Sequence, residues 1–187
     1  NEPGAAPYTT NIQVNDPLTV VGGIVAANVN TEVRAESIVV DGASVFISDD
    51  LLVEAIGSVQ LNTLVNSVTA RSTSAGATSL SINEADDLYV KEVWANNGPV
   101  TIAAGGKLWA RSVYNLVDHA NNTITLRSTK DMYVDLVEAA VLSGAQKAAG
   151  TVTLDTAGTL YELPRETRFA DAVITLPSTG ISGTTFQ

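Results

Sequence analysis

A fixed six-residue step recurs along this chain and limits what it can fold into. Ile82 to Leu88, Ile102 to Leu108, Leu126 to Met132 and Leu154 to Leu160 are each six positions apart. The same local template surrounds each step. An apolar-x-apolar pair comes first: Leu80-Ser81-Ile82, Val100-Thr101-Ile102, Ile124-Thr125-Leu126 and Val152-Thr153-Leu154. A five-residue polar corner follows, then an apolar-aromatic pair, Leu88-Tyr89, Leu108-Trp109, Met132-Tyr133 and Leu160-Tyr161, which in the first three units ends on a small or apolar residue, Val90, Ala110 and Val134. In the first three units a further apolar residue stands three positions on, at Val93, Val113 and Val137. The stretch between units varies in length, so the geometry within a unit is fixed and the connection is elastic.

Apolar residues alternating with polar ones over short runs are a strand signature. Two such strands joined by a polar corner read as one turn of an all-β, single-stranded parallel β-helix, or β-solenoid, with irregular turns. One turn cannot close its own core. Stacked turns share a continuous core through nearest-neighbour contacts. With strands about 4.8 Å apart, six to eight turns would make a rod of roughly 30–40 Å. A one-residue slip would turn every inward side chain outward, which makes the constant step informative. The alternative is a β-sandwich whose strands resemble one another only in composition.

Earlier segments fit less well. Val45 to Ile56 matches if its corner is two residues shorter, and Val59-Gln60-Leu61 followed by Leu64 to Ala70 matches loosely. Residues 18–40 have the composition but a poor register. The solenoid is therefore expected over 17–163, with 1–16 (Pro3, Pro7) as an N-terminal linker or arm. After Pro164 the pattern breaks, and 164–187 read as a C-terminal cap or donor strand with a tail. Val173, Ile174 and Leu176 are the candidate donor strand, suited to pairing at an open sheet edge of a partner. Helix content should be low. Residues 137–149 are Ala-rich and helix-tolerant, and Gly144 argues against a long helix there.

Composition narrows the function. The 187 residues carry ten Lys+Arg against twenty Asp+Glu, a formal charge of −10, which argues against a phosphate-tracking nucleic-acid binder. No apolar run approaches the roughly 18 residues of a membrane span. The absence of Cys removes thiol chemistry, disulfides and Cys-ligated zinc. Few Lys and many Thr, Ser and Asn fit an extracellular or cell-surface protein. No catalytic constellation emerges. His119 is the only imidazole, beside Asp118, with no nucleophile motif. No cofactor is indicated. Asp49, Asp50, Asp86, Asp87 and Asp131 recur at corners and make Ca²⁺ a candidate, but Lys107 and Thr159 hold the same place in other units. Tyr89, Trp109, Tyr133 and Tyr161 follow an inward position and should form an outward row, a candidate surface for a partner or a glycan. Ser81, Thr101, Thr125 and Thr153 form a second row. Leu176 to Gly180 matches the L-P-x-T-G sorting pattern, read as a coincidence in a Thr/Gly/Ser-rich tail.

The units over 79–163 resemble the irregular coils of filamentous-haemagglutinin-like right-handed β-helices, found in large secreted adhesins and surface fibres. The likeness lies in the V-x-L, polar corner, L-x-V pattern. It implies a structural or adhesive role without catalysis. Partners would be other copies or neighbouring domains of the same surface protein. A carbohydrate-binding or polysaccharide-degrading β-helix using the Tyr/Trp row is the alternative.

Overall fold

Inward Val, Ile and Leu at every second position make each short strand half-buried, and a half-buried strand needs a neighbour on each edge. A computed structural model satisfies that need by stacking. It describes residues 10–26, 30–117, 119–139, 150–163 and 173–175. Among these are sixteen strands and no helix. They are β1 (Thr10–Gln13), β2 (Leu18–Val20), β3 (Ile24–Ala26), β4 (Thr31–Ala35), β5 (Ile38–Val40), β6 (Val45–Ala55), β7 (Val59–Ser72) and β8 (Leu80–Glu84). The rest are β9 (Leu88–Ala95), β10 (Val100–Ala104), β11 (Leu108–Asn115), β12 (Thr123–Ser128), β13 (Met132–Glu138), β14 (Thr151–Thr156), β15 (Leu160–Glu162) and β16 (Val173–Thr175).

The strands build a β-solenoid of about six turns with parallel pairing throughout. One stack runs β2, β5, β7, β8, β10, β12, β14, β16, and a second runs β1, β4, β6, β7, β9, β11, β13, β15. Strand β7 serves both, its first half under β8 and its second half under β9. The register matches the six-residue step. Ile82, Ile102, Leu126 and Leu154 face one another in successive turns, as do Leu88, Leu108, Met132 and Leu160. All eight side chains are at most 2% exposed. Each contributes roughly 1.5–3 kcal/mol of burial relative to exposure.

Two features of the units differ from the sequence reading. The five-residue corner is three residues long, because its first two positions extend the strand. The second of them points inward: Glu84, Ala104, Ser128 and Thr156 are buried there. The expected shorter corner at 48–50 is absent, since β6 runs through it as one strand of 11 residues, and β7 runs 14. The change of face happens inside these strands. Ser67 and Val68 are consecutive and both buried, so alternation shifts by one there. The apolar residue three positions on also has a physical cause. In β9, burial skips from Val90 to Val93 where the pairing with β7 shifts register, an extra residue in the manner of a β-bulge. Strand β11 has the same burial pattern, so the irregularity is passed between neighbouring turns.

Glycine is required where turns touch. Gly98 has φ +113°, and a Cβ there would lie 2.0 Å from the Thr78 carbonyl oxygen. Two buried asparagines hold this bend: Asn122 Oδ1 accepts the Gly98 N–H at 2.8 Å, and Asn115 Nδ2 donates to the Gly98 carbonyl at 2.8 Å. At the ends, Thr10–Gln13 lies within the stretch read as an arm and pairs with β4. The helix-tolerant segment falls almost wholly at 140–149, outside the described residues.

Candidate functional site

The outer face carries its distinctive side chains in rows along the stack, because in-register strands bring equivalent positions together every rung. Tyr89, Trp109, Tyr133 and Tyr161 occupy one such row. The Trp109 and Tyr133 rings stack with centroids 5.4 Å apart and planes 8° apart; Tyr133 and Tyr161 stack at 4.8 Å and 13°. These spacings are close to the distance between strands. The ammonium of Lys107 lies 5.9 Å from the Trp109 ring centre. Rings stacked this way turn their faces to one another and their edges to solvent. A sugar platform needs open faces, so the geometry favours a stabilising ladder over a flat glycan surface. Tyr161, at the end of the row, is 42% exposed.

A third outward row was not visible from the repeat pattern. Gln13, Arg34, Glu54, Arg71, Trp94 and Tyr114 follow one another on successive rungs. Arg71 bridges two carboxylates, Glu54 at 3.1 Å and Glu92 at 2.9 Å, and Glu54 also meets Arg34 at 3.2 Å. Tyr114 donates its hydroxyl to Glu92 at 3.1 Å and stacks on Trp94, centroids 6.4 Å apart. Partial burial, then the hydrogen bond to Glu92 and its charge, push the Tyr114 phenol up to about 12, so it stays a donor at neutral pH. A groove of about 420 Å³ runs beside this row, lined by Gln13, Arg34, Glu54, Ile56, Arg71 and Trp94 among others. One signal in the sequence leads to this row. Thr31-Glu32-Val33-Arg34-Ala35, Leu51-Leu52-Val53-Glu54-Ala55 and Val68-Thr69-Ala70-Arg71-Ser72 each place a charge between two inward residues.

The corner acids have structural partners. Asp87 Oδ1 accepts the Lys107 N–H at 2.7 Å, and Asp131 Oδ1 accepts the Thr159 N–H at 3.0 Å, each fastening its corner to the next turn. Each reaches in because the next corner has glycine: a Cβ on Gly106 would lie 2.0 Å from Asp87 Oδ1, and one on Gly158 2.5 Å from Asp131 Oδ1. Asp49 and Asp50 are not on this corner. They sit within β6, where Asp50 pairs with Lys91 at 2.6 Å and accepts the Ser67 hydroxyl at 2.8 Å. Among the described residues, no three of His, Cys, Asp and Glu come together as a metal-binding group. His119 is exposed and its Nδ1 accepts the Asn121 N–H at 3.1 Å, while Asp118 lies outside the described residues.

Glu84 is the most buried carboxylate of the described residues, 2% exposed. It sits where the continuous strand β7 gives way to a cornered turn. Its two oxygens accept the N–H groups of Val65 at 3.0 Å and Ala85 at 2.8 Å. Burial raises its carboxyl above the ordinary range, and the hydrogen bonds from Thr63, Val65, Asp86 and Ala85 partly oppose this. Ser81, Thr101, Thr125 and Thr153 share one outer row in register. Val173 and Ile174 form β16 with Thr175, paired in parallel with β14 of the same chain. Leu176 and the L-P-x-T-G stretch lie outside the described residues. Compared with known protein families, with curated proteins and with solved structures, the chain finds no match.

Proposed function

We infer that the chain is a non-catalytic structural or adhesive β-solenoid working outside the cell. It serves as a subunit of a surface fibre or layer, or as a piece of a large adhesin of the filamentous-haemagglutinin-like kind. One observation supports this reading best: the outer side chains pair along the stack. Arg34, Glu54, Arg71 and Glu92 join successive rungs, and so do Trp109, Tyr133 and Tyr161. Such contacts resist bending and sliding of turns, which is what a rod under load needs. The acidic exterior keeps single rods apart until their ends or sides meet. Partners are other copies or neighbouring domains of the same protein. Negative-stain electron microscopy of the purified chain over a range of concentrations tests the assembly claim. Filaments or end-joined rods are expected. Single particles at every concentration would count against self-association.

A further inference from the structure

We propose that the groove beside Arg34, Glu54, Arg71 and Trp94 binds a neutral oligosaccharide laid along the solenoid axis. This goes beyond the structural reading, because a stiff rod stands with or without a ligand in the groove. The groove follows the rungs of Gln13, Arg34, Glu54, Arg71 and Trp94. Four strand spacings give it a length of about 19 Å, which suits a chain molecule. Backbone donors beside it are already engaged between turns. Val14 N–H goes to the Arg34 carbonyl at 3.0 Å, Gly57 N–H to Glu36 at 2.6 Å, Thr73 N–H to Ala55 at 3.0 Å and Asn96 N–H to Ser72 at 2.8 Å. An added peptide strand finds no free ladder there, so recognition falls to side chains.

Those side chains suit a sugar. Gln13, Asn15, Arg34, Arg71, Glu36 and Glu54 line the groove with amide, guanidinium and carboxylate groups that meet hydroxyls. Ile56, 61% exposed, offers apolar contact for the C–H face of a pyranose, and Trp94, stacked on Tyr114, closes the end of the groove. Charge selects within the class. Arg34 and Arg71 face Glu36 and Glu54 in the lining and Glu32 and Glu92 beside it, so no positive charge is left over, on a chain whose formal charge is −10. Both guanidinium groups are held by glutamates, so an acidic polysaccharide meets no uncompensated cation here.

The test uses Trp94 as its own reporter. The chain has two tryptophans, so Trp109→Phe leaves Trp94 as the only indole while keeping a ring in the ladder. Cellohexaose, xylohexaose and chitohexaose are titrated against this variant by fluorescence and against the unaltered chain by calorimetry, with hexagalacturonate as the acidic comparison. At least one neutral hexaose is expected to shift Trp94 emission saturably. Ile56→Asp, which places a charge at an exposed apolar position, is expected to weaken that binding about tenfold or more with an unchanged circular-dichroism spectrum. The proposal is overturned if no neutral hexaose binds in either assay, if only hexagalacturonate binds, or if the correctly folded Ile56→Asp variant binds as tightly as its parent.

Discussion

Glu84 joins two kinds of turn. Below it the chain runs straight through residues 64–66, and above it the corner at 85–87 leaves those residues without a paired strand on that side. The carboxylate fills that gap by accepting N–H groups from both levels. Glu84→Gln replaces one acceptor by an amide NH₂ facing a donor. The expected cost is about 1–3 kcal/mol, read by chemical denaturation. The pH dependence has a definite sign. Because the folded carboxyl is raised above an unfolded value of about 4.3, its contribution is full below that pH. It fades as pH climbs through the folded value. The advantage of the unaltered chain over Glu84→Gln should therefore be larger near pH 4 than near pH 7. An advantage that grows toward neutrality would contradict the burial account. Nothing in the sequence singles out Glu84 among twenty acids. It occupies a position that reads as polar corner, and only the three-dimensional meeting of a cornered and an uncornered turn gives it a task.

At the scale of the strand and corner, much was legible from residues 79–163. There the turns are cornered alike, so the six-residue step shows directly in Ile82 to Leu88 and its counterparts. The lower turns hid the same stack for a physical reason. Strands β6 and β7 change face without a corner, so inward positions lose their fixed step and the register is set by pairing alone. The Arg34–Glu54–Arg71 row and its groove belong to those turns, which is why repeat spacing did not reveal them. Over 79–163 the corner is the part of a unit whose length does not vary. One glycine inserted between Gly105 and Gly106 shifts β11 against both β9 and β13 and disturbs the Asp87–Lys107 contact. At about 1–3 kcal/mol for a disrupted core and roughly 2–4 °C per kcal/mol for a chain of this size, the melting temperature should fall by several degrees. The same insertion between Gly76 and Ala77, both exposed, should change stability by less than about 0.5 kcal/mol. Scanning calorimetry of the two variants compares them. Equal losses would mean that the corner is not the fixed element.

Over the described residues the molecule is a column of stacked turns, cornered above and uncornered below, whose inner hydrocarbon and outer rows repeat at one rung spacing. The ladder of rings, the length of the groove and the stiffness proposed for the rod all rest on that single fact, so the pairing order is what most needs measurement. The chain has no native Cys, which makes thiol pairs clean reporters. Thr101, Thr125 and Thr153 stand on consecutive rungs of the outer Thr row. Dibromobimane becomes fluorescent only when it bridges two neighbouring thiols. It is expected to light up Thr101→Cys/Thr125→Cys and Thr125→Cys/Thr153→Cys, with each pair one rung, about 4.8 Å, apart. Thr101→Cys/Thr153→Cys, two rungs or about 9.6 Å apart, should stay dark. A dark adjacent pair beside a bright distant one would contradict the stacked parallel register from which the rest of the account is built.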